Sequence, residues 1–364
     1  MDAPSTMLDP PLRSESSGDF IDKRQSLGHL PALDGVRGMA ALMVMFYHAA
    51  GFGFALQWQL LNAGVDLFFV LSGFLITRIL LSAKGQKRYF INFYGRRTLR
   101  VFPLYYGFLV VFFLVRPWVV GNPIPSVDVQ GWFWVYLQNI PFTFTSFRSE
   151  PGHFWSLAVE EHFYLFWPFL VSWLSPRRML HALLIMVVGA ALLRVPMKLQ
   201  GWEPYYFTLT RVDALSMGAV LAWLERYRPR GIAGDCELYR YGFAITGFAV
   251  GVYLLFDARI PTLLSSVIWP SLVGCFFLFF MGWTVAEGRH GILGRVLGHG
   301  MLAYSGKVSY GLYVFHPLCF LVARRSGLPP IAQLGVGMAL SFLVAALSFR
   351  LFESPFLKLK RHFA

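Results

Sequence analysis

Apolar runs close to twenty residues long recur along this chain from about Val36 to its C-terminus. Crossing roughly 30 Å of hydrocarbon takes about twenty helical residues, so these runs predict membrane-spanning helices. Strands are excluded as the spanning element, because the runs are continuously apolar and a membrane barrel needs alternation. Ten spans follow, at about 36–54, 63–82, 101–120, 155–174, 178–196, 206–225, 241–257, 263–285, 302–322 and 332–352. The 155–174 run is the most interrupted, by Glu160, Glu161 and His162. The aromatic stretch from Gln130 to Phe144, with Trp132, Phe133, Trp134 and Tyr136, is too short to cross and reads as interfacial or re-entrant. The predicted class is therefore all-α and polytopic.

The loops orient these helices. Placing the N-terminus inside puts 20 basic residues in inner segments and 7 in outer ones. Cytoplasmic loops carry such an excess, so both termini are expected in the cytoplasm, and an even helix count agrees. Residues 1–29 are polar, lack the apolar core of a signal peptide and read as a cytoplasmic tail. Residues 30–353 form the membrane domain, and 354–364 a basic cytoplasmic tail. The loop at about 121–154 then lies outside.

Composition supports this picture. Only 14% of the 364 residues are charged and 56% are hydrophobic, against about 25% charged in soluble domains. The net charge of +13 would suggest nucleic acid in a soluble protein, but here loop asymmetry accounts for it and no nucleic-acid partner is expected. Cys236, Cys275 and Cys319 lack metal-ligand spacing, and neither a metal nor a disulfide framework is expected.

Ionisable residues inside spans are costly, and each marks a candidate site. The first span carries Arg37 and, eleven residues later, His48. That spacing separates them by about 16 Å along a helix. His48 is a candidate general base or nucleophile, or a histidine bonded to a neighbouring carbonyl. Asp66, near the outer end of the second span, either orients His48 or sits at the interface. Ser72 and Gly73 permit close helix approach. Arg96, Arg97 and Arg100, in a predicted inner loop, suit phosphate binding, topology determination or lipid headgroups. Glu160 is expected to face the site, with Glu161 and His162 at its rim. His153 is an acceptor ligand or a solvated loop residue. Arg211 is expected to reach another helix rather than Asp213, since residues two apart do not face each other. His316 is placed to cap the carbonyl freed by Pro317, or to act in the site.

Taken in order, these motifs resemble the acyltransferase-3 family of membrane O-acyltransferases. The matching elements are Leu33-Asp34-Gly35-Val36-Arg37-Gly38 with His48, and the run from Gly64 through Asp66, Ser72 and Gly73 to Leu75. Arg97-Thr98-Leu99-Arg100 follows, then Ser156-Leu157 with Glu160 and Phe163-Tyr164, then Ser309-Tyr310 with Tyr313 and His316-Pro317. The resemblance implies a ten-helix fold and transfer of acetyl or another short acyl group from acyl-CoA to a hydroxyl. Family acceptors include exported polysaccharides, lipopolysaccharide, peptidoglycan, nodulation oligosaccharides and macrolides. Some members add a soluble hydrolase-like domain, here expected as a separate protein because the sequence stops at Ala364.

On this reading acyl-CoA binds from the cytoplasm, its phosphates near Arg96, Arg97 and Arg100, with Arg37 and Ser72 along its path. His48 acts as base on the acceptor hydroxyl or carries the acyl group itself. Glu160, His153, Arg211 and His316 are placed toward a carbohydrate-type acceptor; Glu160 alternatively tunes His48, and Arg37 binds the donor or holds the site's geometry, so both join His48 and Asp66 as catalytic candidates. The expected location is a bacterial cytoplasmic (inner) membrane, in contact with its lipids. A glycan or lipid transporter or flippase is the main rival, and a non-catalytic scaffold the second.

Overall fold

The computed structural model describes residues 30–49, 59–117, 125–288 and 291–363. The tail expected over 1–29 and the end of the first predicted span lie outside them. Among the described residues the secondary structure is entirely helical. The main helices are α1 (Pro31–His48), α2 (Gly64–Ala83), α3 (Tyr89–Leu109), α4 (Val127–Trp134), α5 (Asn139–Phe144), α6 (Trp155–Trp173), α7 (Pro176–Leu199) and α8 (Thr208–Tyr227). They continue with α9 (Cys236–Phe256), α10 (Thr262–Glu287), α11 (Ile292–Leu297), α12 (Gly300–Lys307), α13 (Ser309–Arg324), α14 (Pro330–Leu347) and α15 (Ser354–Lys358).

Six helical stretches of the described residues are long and apolar enough to cross a membrane: Gln59–Ala83, Tyr89–Val115, Pro176–Leu199, Ala233–Arg259, Thr262–Glu287 and Pro330–Phe363. The protein is an integral membrane protein. The other four predicted spans correspond to α1, α6, α8 and the α12–α13 pair. These carry Arg37 and His48, Glu160 to His162, Arg211 and Asp213, and His316. The helices that fall short as apolar spans thus each carry candidate chemistry, whose charge lowers their hydropathy, while Asp66, Ser72 and the three arginines of α3 lie on helices that qualify.

Three expectations change. The predicted span 302–322 is two helices, because Val308 takes φ −99° and ψ 7° and turns the chain. This lets α12 pack on α1 while α13 packs on α14. The predicted loop around Arg96, Arg97 and Arg100 is helical. α3 starts at Tyr89 because its ring hydroxyls reach α6: Tyr89 donates to the Pro168 carbonyl (3.2 Å) and Tyr94 to that of Leu165 (2.7 Å). The segment expected as a basic tail, 354–364, is helical over its described residues. It forms α15 and the 3-10 turn Leu359–Phe363, which pack against α3.

α2 and α8 make the closest pairing. A Cβ on Gly73 would stand 1.8 Å from the Leu215 carbonyl oxygen, and one on Gly218 1.9 Å from that of Val70. Without side chains at these two positions the backbones meet directly, a packing that suits helices in lipid. Around this pair stand α1, α6, α7 and α10, and a second apolar core joins α1, α13 and α14 through Met45, Leu312, Phe320 and Ala345.

Candidate active site

The end of α1 places His48 against α13. Its Nδ1 lies 2.9 Å from the Val44 carbonyl oxygen and 3.3 Å from Nε2 of His316. A carbonyl oxygen only accepts, so Nδ1 of His48 carries the proton. His316 Nδ1 lies 3.0 Å from the carbonyls of both Leu312 and Tyr313, so it too is protonated there. The Tyr313 carbonyl is the one that Pro317 leaves without a helical partner. The His316 Nε2 lone pair therefore faces the His48 Nδ1–H, and in the neutral ring the basic nitrogen of His48 is Nε2. His48 is exposed while His316 is fully buried.

The 3-10 turn Gly152–Phe154 brings His153 over the same helix, its ring centroid 5.5 Å from that of His316. Its side chain is half-buried, not a solvated loop residue, and its Nε2 is buried without a partner. Burial, and next the nearby His48, push its pKa down to about 3, so it is neutral near pH 7. The Tyr313 hydroxyl donates to the His153 carbonyl (2.7 Å) and also pairs with Ser156 Oγ at 2.5 Å.

One helical turn beyond Ser156 on α6 is Glu160, which accepts from Ser72 Oγ at 2.7 Å. Arg97 stands 3.6 Å from Glu160 and 3.3 Å from Glu161, with its guanidinium 3.8 Å over the Tyr164 ring. Glu161 is therefore a full partner rather than a rim residue. Adjacent carboxylates diverge on a helix, but the planar fork of one arginine from α3 spans both. His162 turns away and pairs with Thr208 Oγ1 at 2.7 Å. Arg37 is paired with Asp34 at 3.1 Å and lies within electrostatic reach of Glu160, Tyr164 and Arg97. A polar column thus runs through the bundle from the three histidines, through Tyr313 and Ser156, to Glu160, Ser72, Arg97 and Arg37.

Beside the column lies a buried charge network. Asp66 pairs with Arg211 at 2.6 Å, and Arg194 pairs with Asp213. Arg211 thus reaches α2. Asp66 is committed to it, and the group that touches His48 is His316. Arg211 is walled by Tyr205, Phe69 and Trp155, and its Nε and Nη1 are buried without partners. Arg194 was not among the sequence candidates, although a charge within the predicted 178–196 span was the available signal.

For a phosphate-bearing donor, the three arginines of α3 differ. Arg97 is committed to two carboxylates. Arg96 is exposed, and its Nε donates to the Phe363 carbonyl at 2.7 Å, which leaves its terminal nitrogens available. Arg100 is half-buried, and Glu353 is the opposing charge that acts on it most strongly. Arg96 and Arg100 fit phosphate oxygens; Arg97 fits as the anchor of the carboxylates. Among the described residues no group of three His, Cys, Asp or Glu side chains is placed to hold a metal ion.

A family model described as "Acyltransferase domain" matches residues 30–350. The chain is similar to O-acetyltransferase OatA of Staphylococcus aureus, 29% identical over 93% of this chain and 59% of the relative. It is 31% identical to peptidoglycan O-acetyltransferase OatA of Listeria monocytogenes, over 92% of this chain and 57% of the relative. It is 30% identical to the putative peptidoglycan O-acetyltransferase YrhL of Bacillus subtilis, over 92% and 56%. The chain therefore spans less than three-fifths of the length of these curated relatives. No solved structure matches it.

Proposed function

The chain belongs to the acyltransferase-3 family, and from that premise we propose that it moves an acetyl or other short acyl group from cytoplasmic acyl-CoA to a hydroxyl of a carbohydrate-type acceptor. The names of two relatives specify peptidoglycan, which makes a cell-wall glycan the first acceptor to test. The reading includes ten spanning helices, both termini in the cytoplasm and a bacterial cytoplasmic membrane.

The observation that carries it is the fixed tautomer of His48, whose exposed ring keeps a free lone pair on Nε2. In direct transfer, Nε2 takes the acceptor's hydroxyl proton as the oxygen attacks the thioester carbonyl. The carbon–sulfur bond breaks, and the imidazolium returns its proton to the departing thiolate. In the relayed route Nε2 itself attacks the carbonyl, the carbon–sulfur bond breaks and CoA leaves as the thiolate, which takes up a proton from solvent; the acceptor hydroxyl then attacks the acyl carbon, the carbon–nitrogen bond breaks, and the hydroxyl proton passes to solvent, leaving His48 neutral. In both, the Val44 carbonyl and His316 Nε2 accept from Nδ1–H and stabilise the charge on the ring. Arg96 and Arg100 serve the donor's phosphates. Ser72, Arg37 and the Arg97–Glu160–Glu161 cluster line the path between phosphates and thioester. His153 and Arg211 lie on the acceptor side.

The test is turnover of radiolabelled acyl-CoA by the protein in nanodiscs, with peptidoglycan fragments and other glycans as acceptors. His48→Ala is expected to bind acyl-CoA but not to turn it over. Label retained on wild-type protein selects the relayed route. A His48→Ala protein as active as wild type removes His48 from catalysis. Glycan or lipid movement without thioester cleavage replaces the reading with transport.

A further inference from the structure

The chain from Phe352 onward is held against α3 at defined points. The Phe363 ring seats on Gly95, where a Cβ would stand 2.2 Å from it. The Phe352 ring seats on Gly107, where a Cβ would stand 3.2 Å away. Arg96 Nε secures the far end by donating to the Phe363 carbonyl. Between these anchors Lys360 is half-buried, whereas Lys358 and Arg361 on the same segment are exposed.

The surroundings of Lys360 are unusual for a bundle that neutralises its charges. Arg37 has Asp34, and Arg97 has Glu160 and Glu161. The charges that act most strongly on Lys360 are Arg100, Arg97, Arg96 and Arg37, with no carboxylate among them. An ammonium gathered among guanidinium groups is repelled by all of them. Glu353 opposes Arg100 from the same segment, but among the described residues no carboxylate is one of the strongest charges on Lys360, and a bound polyanion would relieve the repulsion that remains. Phosphate is the fitting chemistry, since a lysine adds a compact point charge beside arginine forks.

We propose that Lys360 joins Arg96 and Arg100 in one phosphate-binding floor, so that the C-terminal segment completes the donor site. This rests on the acyl-CoA reading above. Lys360 lies beyond residue 350, where the match to the family ends, so its role is not carried by that match. A nucleotide phosphate of the donor and a lipid headgroup phosphate share this chemistry, and the test separates them.

The experiment measures binding of radiolabelled CoA to the full chain in nanodiscs of neutral phosphatidylcholine. Lys360→Gln is expected to weaken binding about tenfold, the loss of one charge-assisted contact. Lys360→Arg restores it, Lys358→Gln matches wild type, and the gap closes as salt rises. In turnover, Lys360→Gln raises the KM for donor and leaves kcat in place. Equal CoA affinity of wild type and Lys360→Gln overturns the proposal while sparing the donor reading. A loss that Lys360→Arg does not restore also overturns it, since packing rather than charge is then at work. A gap that appears only when phosphatidylglycerol is added assigns Lys360 to lipid and overturns its donor role. Wild type that binds no CoA removes the donor reading and this proposal together.

Discussion

At His48 the chemistry depends on what holds the opposite nitrogen. Val44 and His316 both accept from Nδ1, so the ring presents Nε2 in one orientation. His316 is itself fixed by two carbonyls, one of them freed by Pro317. Replacing His316 with Phe keeps a ring in a fully buried position but removes the second acceptor. A hydrogen bond to a charged group contributes about 1.5–3 kcal/mol. His316→Phe is therefore expected to lower kcat by roughly 10–100-fold while donor affinity stays near wild type. Steady-state kinetics with donor varied checks this, and an unchanged kcat would show that His316 only packs. His48 and His316 were each visible as ionisable residues in predicted spans. Their contact joins residues 268 positions apart and has no signature in local pattern. The same holds for Asp66, which adjacency in the sequence order assigned to His48 and the fold assigns to Arg211.

At the scale of elements, the apolar runs marked most helices well because hydropathy and length are local properties. α2, α6, α7, α8, α9 and α10 begin and end close to where those runs do. The misses arose where tertiary contacts govern: α3 extends back to Tyr89 on hydrogen bonds to α6, and α12 separates from α13 to follow α1. The α2–α8 pairing offers a direct test. Gly218→Ala places a methyl group 1.9 Å from the Val70 carbonyl oxygen, so the helices must separate. Such overpacking costs about 1–3 kcal/mol, and it also moves Ser72 relative to Glu160. Gly189→Ala on α7 meets open space and is expected to be neutral or to gain up to about 1 kcal/mol from helix propensity. Thermal unfolding of the two variants in detergent should therefore shift Tm in opposite directions or only for Gly218→Ala. Equal behaviour would mean that the contact between α2 and α8 is slack.

For the whole molecule, the proposed orientation is open to labelling. With the native cysteines changed to serine, Lys358→Cys should react with an impermeant thiol reagent only from the cytoplasmic side. Ser146→Cys, at an exposed position in the loop before α6, should react only from outside. Both labelled from one side would overturn the orientation drawn from the basic residues. Arg194, near the outer end of the predicted 178–196 span and one of the seven basic residues assigned to outer segments, is buried against Asp213, so the asymmetry rests on fewer outer charges than a linear count suggests.

The sequence by itself determined that this is a helical membrane protein, which residues bring charge into its spans, and, through their order, the family. Those properties reside in single residues, their spacing and local hydropathy, all of which survive without a fold. Only the tertiary structure decided which charges neutralise one another, that Arg97 serves both Glu160 and Glu161, and which nitrogen of His48 is free. It also decided that the basic C-terminal segment folds onto α3. These outcomes depend on contacts between distant helices, where a buried charge or N–H must find whichever partner packing brings within about 3 Å.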